Sequence, residues 1–113
     1  MRFTLLEHRQ GTEKHWDLLL EWPGEERLRT WQFEEHPWES TLPGKRIGDH
    51  RRIYLDYEGP ISHGRGEVRQ CGTGTYRVVA ETERGWQVAL SNGRTCLLWL
   101  YDTPPPSSSG TIL

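Results

Sequence analysis

Long helical periodicity is absent from this chain. In its place, short runs rich in Leu, Val, Trp and Tyr are cut at close intervals by Gly, Pro and Asn. The runs are RFTLLEH, HWDLLLEW, RLRTWQF, RRIYLDY, GTYRVVAETE, GWQVALS and RTCLLWLY. Between them lie GTEK, Pro23–Gly24, LPGK, Gly59–Pro60, HGRG and SNGR. The last contains Asn92–Gly93, a pair that tolerates positive φ and so favours a tight hairpin. Short extended runs of this kind satisfy their backbone only by pairing with one another. The pattern predicts an all-β chain, a small antiparallel β-barrel of seven to eight strands with at most one or two short helices. PWESTLPG is the candidate for a helical turn.

The chain has 113 residues, 34% of them apolar, and six Trp, enough for one modest core and too few for two comfortable domains. Residues 1–102 are expected to form the barrel. Residues 103–113, TPPPSSSGTIL, read as a flexible Pro- and Ser-rich tail. Strand alternation sends Trp16, Leu18, Leu20 and Trp22 of HWDLLLEW to one face. The expected core is Trp16, Leu18, Leu20, Trp31, Ile53, Leu55, Val79, Val88, Leu98 and Leu100.

A formal net charge of −2 excludes a generally basic nucleic-acid coat and leaves room for a local site that grips one phosphate. The basic residues Lys45, Arg46, Arg51, Arg52, Arg65 and Arg69 fall in one segment, which also reads as ordinary solvated surface. Cys71 and Cys96 form no CxxC pair and are expected to be reduced, buried thiols. The first ten residues hold too few apolar side chains for a signal peptide, and no run reaches membrane-spanning length. The expectation is a cytoplasmic monomer with no membrane partner.

The second face of HWDLLLEW carries His15 and Asp17, at i and i+2. If RQGTEK closes a hairpin, His8 returns beside His15, and two imidazoles and a carboxylate converge. Such a set binds a divalent ion with positions left open for water and substrate, and its mixed N and O donors suit Mn, Fe, Co or Zn better than Mg or Ca. A plain solvated polar face accounts for the same residues. In DHRRIYLDY, read as a strand, His50, Arg52, Tyr54 and Asp56 share a face, and His, Arg and Tyr together can hold a phosphate. A half-exposed edge strand is the competing reading. His36 and His63 read as loop residues. HGRGEV lacks P-loop spacing and precedes a strand rather than a helix.

Taken in order, FTLLEH, HWDLLLEW, TWQF, KR, DHRRIYLDYEGPI and GRGEV resemble the 3′-phosphoesterase domain found in bacterial DNA ligase D and in stand-alone homologues. The likeness spans most of residues 3–101 and is strongest at HWDLLLE and DHRRIYLDYEG. The resemblance implies an antiparallel β-barrel that trims nucleic-acid 3′ ends, removing a 3′-phosphate or a 3′-ribonucleoside, with Mn²⁺ as favoured metal and Zn²⁺ or Co²⁺ as substitutes. By position it implies His8, His15 and Asp17 as metal ligands, Arg46 and His50 on the scissile phosphate, and Tyr54 lining the site. Arg52 joins the substrate-binding set through the strand-face argument.

The resulting expectation is a metal-dependent 3′-end-processing phosphoesterase acting on DNA or RNA 3′ ends, with a separately encoded DNA ligase or polymerase as a possible partner. Two departures from the family pattern favour an alternative, a non-catalytic metal-, phosphate- or nucleic-acid-binding barrel. Leu19 stands where the family has Arg, and the family's N-terminal extension has no counterpart before Met1. A cupin-type oxygenase or isomerase is a third reading, disfavoured because the closely spaced H-x-H is missing.

Overall fold

The computed structural model describes residues 1–102, so the tail expected at 103–113 lies outside the described residues. The elements are strands β1 (Arg2–Gln10), β2 (Glu13–Leu20), β3 (Leu28–Phe33) and β4 (Lys45–His50), a 3₁₀ turn (Arg52–Leu55), and strands β5 (Gly59–Pro60), β6 (Glu67–Glu81), β7 (Gly85–Ser91) and β8 (Thr95–Tyr101). The strands form one antiparallel sheet in the order β4-β3-β2-β1-β6-β7-β8, with β5 attached to β6. The sheet curls into a half-barrel, the all-β architecture expected from the sequence.

Side chains bridge the two sheet edges. Arg46 on β4 pairs with Asp102 just after β8, and the Trp31 indole N–H donates to the Tyr101 carbonyl at 3.0 Å. No helix among the described residues is long and apolar enough to cross a membrane.

The hairpin that sets the candidate site follows from Gly11. A two-residue loop, Gly11–Thr12, joins β1 to β2, with Gly11 at φ 63. A positive φ at the first loop position matches the right-handed twist of the strands, and glycine takes it without steric cost. The register that results pairs His8 directly with His15.

Both faces of the sheet carry buried side chains, most fully along β1 to β3, while Val78 on β6 and Leu97 on β8 stay exposed. Phe3, Leu5, Leu18, Leu20, Trp31, Phe33, Tyr76, Val88, Leu90 and Leu100 fill the concave core. On the opposite face, Leu6, Leu19, Leu28, Leu55 and Val68 form a second cluster beneath Tyr54, Tyr57 and Ile61. The unbroken Leu18–Leu19–Leu20 run is the sequence mark of a strand covered on both sides.

Several expectations are corrected. The strand lies at KRIGDH, and the core of RRIYLDY is the 3₁₀ turn, which lays Leu55 on the second cluster and turns Ile53 out to 61% exposure. PWESTLPG forms no helix. Val79 is exposed, beside a register shift between Val78 and Ala80 that interrupts inward alternation. Trp16 and Leu98 are half-buried against the concave core. Both cysteines are free, and Cys71 is exposed rather than buried.

Candidate functional site

His8 on β1 and His15 and Asp17 on β2 share the second face, as strand alternation and the hairpin register require. His8 Nδ1 stands 3.1 Å from His15 Nε2, and His15 Nε2 stands 3.3 Å from Asp17 Oδ1. One donor atom from each of the three residues lies within 4.8 Å of the others. Two donors bound to one ion at about 2.1 Å and near-right or tetrahedral angles stand about 3.0–3.4 Å apart, so the two close spacings fit a shared divalent ion.

Two further observations support that fit. His8 Nε2 lies 2.7 Å from the Arg65 carbonyl. A carbonyl only accepts, so in the neutral ring Nε2 carries the hydrogen and Nδ1 presents its lone pair toward His15. A backbone carbonyl fixing the tautomer from behind is a usual companion of a metal-binding imidazole. Asp17 is 3% exposed, yet its Oδ1 has no hydrogen-bond donor among the described residues. His15 Nε2 stands 3.3 Å from it as an ion-pair contact. Burial raises the Asp17 carboxyl above its usual range, and the neighbouring imidazoles of His15, His50 and His8 only partly pull it back. A cation at this point would satisfy the oxygen and offset the cost of the buried charge.

The set opens into a cleft of about 410 Å³ lined by Leu6, Val68, Ile61 and Tyr54 on the apolar side, and by His8, Asp17, Asp49, His50, Arg27, Arg51 and Arg65 on the polar side. His50 Nδ1 lies 3.1 Å from the Gly48 carbonyl, which leaves Nε2 directed inward, 4.0 Å from Asp17 Oδ2. The His50 ring meets Tyr54 edge-on at 5.9 Å. The three cleft arginines have no carboxylate partner among the described residues. Arg27 donates to the Asp49 carbonyl, Arg65 to Ser62, and Arg51 lies over the Tyr54 ring at 5.9 Å. By contrast, Arg2, Arg9, Arg29, Arg46 and Arg52 are each paired with an acid. Asp49 also lines the cleft, but its carboxylate faces Arg46 at 3.6 Å; three guanidinium groups not paired with an acid around one cleft suit an anion.

His8, His15, Asp17, His50 and Tyr54 are therefore brought together. Arg46 and Arg52 are not. Arg46 is the cross-strand partner of Trp31, so it points to the concave face, with its guanidinium 4.9 Å from the Trp31 ring and paired with Asp102. Arg52 leaves the expected face because its segment is a 3₁₀ turn, and it binds Glu21 and the Glu25 carbonyl instead. Asp56 likewise pairs with Arg2. Leu19 is fully buried in the second cluster, where a guanidinium would have no room and no water.

Arg27, Arg51 and Arg65 escape a reading by strand faces. Arg65 alone carries a local signal, the flanking glycines of HGRG. Gly66 sits at φ 87, and a methyl there would collide with the Arg9 carbonyl. The loop thus lies flat on β1 and brings the Arg65 carbonyl to His8. His36 stacks edge-on with Trp38, at 5.4 Å, away from the cleft. No protein-family model matches the chain, and no curated protein matches it either.

Proposed function

We propose that this protein is a divalent-metal-dependent phosphoesterase that processes nucleic-acid 3′ ends, of the kind the resemblance to the DNA ligase D domain implies, with Mn²⁺ as the favoured ion. The observation that carries the reading is the buried, unsatisfied Asp17 oxygen beside two imidazole nitrogens at the floor of a cleft whose arginines lack carboxylate partners.

In this reading His8, His15 and Asp17 hold the ion. The ion, when bound, polarises a phosphate oxygen and lowers the pKa of bound water. Arg27, Arg51 and Arg65 bind the phosphate oxygens and offset charge that grows in the transition state. These arginines take the role that the resemblance gives to Arg46. His50, held by the Gly48 carbonyl, presents Nε2 as a hydrogen-bonding or proton-transferring group toward the phosphate or leaving oxygen. Tyr54 closes the wall beside it. The target is a DNA or RNA 3′ end bearing a phosphate or a ribonucleoside.

A second reading, binding without turnover, is favoured by the diversion of Arg46 into ion pairs with Asp102 and the cleft-lining Asp49, and of Arg52 into one with Glu21. The test that separates them is turnover on an oligonucleotide carrying a 3′-phosphate. The enzymatic reading expects Mn²⁺-dependent release of phosphate, lost on chelation and in His50→Ala, with binding retained in the latter. Binding that depends on the cleft arginines with no phosphate released under any divalent metal would establish the second reading.

A further inference from the structure

Next to the cleft lies a smaller chamber of about 210 Å³ walled by Ile53, Tyr54, Tyr57, Pro60, Ile61 and Ser62, with Arg51 at its edge. Arg51, Tyr54 and Ile61 line both spaces, so the two form one groove. Its chemistry changes along its length, from imidazole and guanidinium to aromatic ring and aliphatic side chain. Tyr54 and Tyr57 meet at 89° with centroids 5.7 Å apart, making an aromatic corner. The Tyr57 hydroxyl donates to the Pro60 carbonyl and is committed there, so the residue offers its ring. Ile53 stands 61% exposed at the mouth, apolar surface that a flat ligand would cover.

We infer that this chamber seats the base of the nucleotide whose 3′-phosphate lies in the arginine cleft, so that the protein takes single-stranded or frayed 3′ ends rather than a stacked duplex terminus. The inference rests on the proposed phosphoester function and adds to it the form of the substrate. An anion site continuous with a flat apolar site matches the alternation of phosphate and base in a nucleotide. Arg51 joins the two halves, since its guanidinium already lies over the Tyr54 ring and can stack on a base while facing a phosphate. Hydrogen-bonding side chains are few on the chamber walls, so any base fits, as in stacking sites that bind single strands without sequence preference. A base that enters has left its own stack, which a terminal single-stranded nucleotide does most easily.

Calorimetry on the full chain without metal, where no hydrolysis occurs, tests this with four probes. They are an oligothymidylate with a 3′-phosphate, the same strand with an abasic final residue, a blunt duplex with a 3′-phosphate, and a phosphotyrosine peptide. The expected result is that the base-bearing single strand binds about tenfold tighter than the abasic strand and than the duplex. Ile53→Ser and Tyr57→Ala should each bring the first ratio close to one and leave the abasic strand unaffected. Ile53 is exposed, so its replacement keeps the fold should Tyr57→Ala disturb the loop. Equal affinities for the base-bearing and abasic strands, with both binding, would overturn the base chamber and leave the phosphate cleft standing. Tightest, Ile53-dependent binding of the phosphotyrosine peptide would also overturn it. Failure of every probe to bind would remove the phosphate cleft, and the chamber's assignment with it.

Discussion

At the scale of single residues, Asp17 carries most of the argument. A buried carboxylate with one oxygen unsatisfied is destabilising unless something positive lies beside it. Asp17→Asn keeps the shape and removes the charge. In metal-free buffer it is therefore expected to melt no lower than the wild type, as read by thermal unfolding, and a drop of several degrees would mean that the charge is structurally required. Glu21 makes the opposite case. The Arg2 backbone N–H, and then the Arg52 guanidinium, hold its carboxyl below the usual glutamate range, and its own carbonyl accepts from Tyr76, whose hydroxyl burial pushes up to about 12. A lowered folded pKa stabilises the protein above the ordinary glutamate value near 4.3, and that contribution is lost as the pH falls through the lower folded value. Glu21→Gln should melt lower than the wild type at pH 7, with the gap narrowing as the pH drops below about 4. A gap independent of pH would show that Glu21 acts through packing alone.

At the scale of elements, the site is a product of one hairpin and one loop. The β1–β2 hairpin was legible, because alternation and a Gly in the turn fix which side His8, His15 and Asp17 occupy. The RRIYLDY segment reads as a strand because its apolar and polar residues alternate, yet it folds as a 3₁₀ turn that buries Leu55 and lays Tyr54 and Tyr57 against the second cluster. Arg46 faces away from the metal-ligand set for a different reason: its side is set by pairing with Trp31 across strands, and nothing within KR encodes that register. The HGRG loop acts at a distance by holding the Arg65 carbonyl on His8. Gly66→Ala should strain the loop and lift it off β1. Mn²⁺ affinity should fall about 10- to 100-fold, the range for losing a supporting partner behind a ligand. Calorimetric titration that gave wild-type affinity would show that the carbonyl contact does not tune the site.

At the scale of the whole molecule, strands buried on both faces explain how so short a chain supports a polar cleft. The concave core holds the half-barrel together, and the second cluster forms the floor on which the cleft rests. Leu18→Ala and Leu19→Ala, one on each face and both fully buried, should each cost about 2–5 kcal/mol in denaturant unfolding. That is a large share of the roughly 5–15 kcal/mol available to a domain of this size. A cost near zero for Leu19→Ala would mean that the second face contributes no packing. Whether this second face carries a divalent-ion site is decided by titrating Mn²⁺ into the wild type and Asp17→Asn by calorimetry. The expected result is one ion bound per wild-type chain and none by Asp17→Asn. Equal binding by the two proteins, or no binding by the wild type, would contradict it.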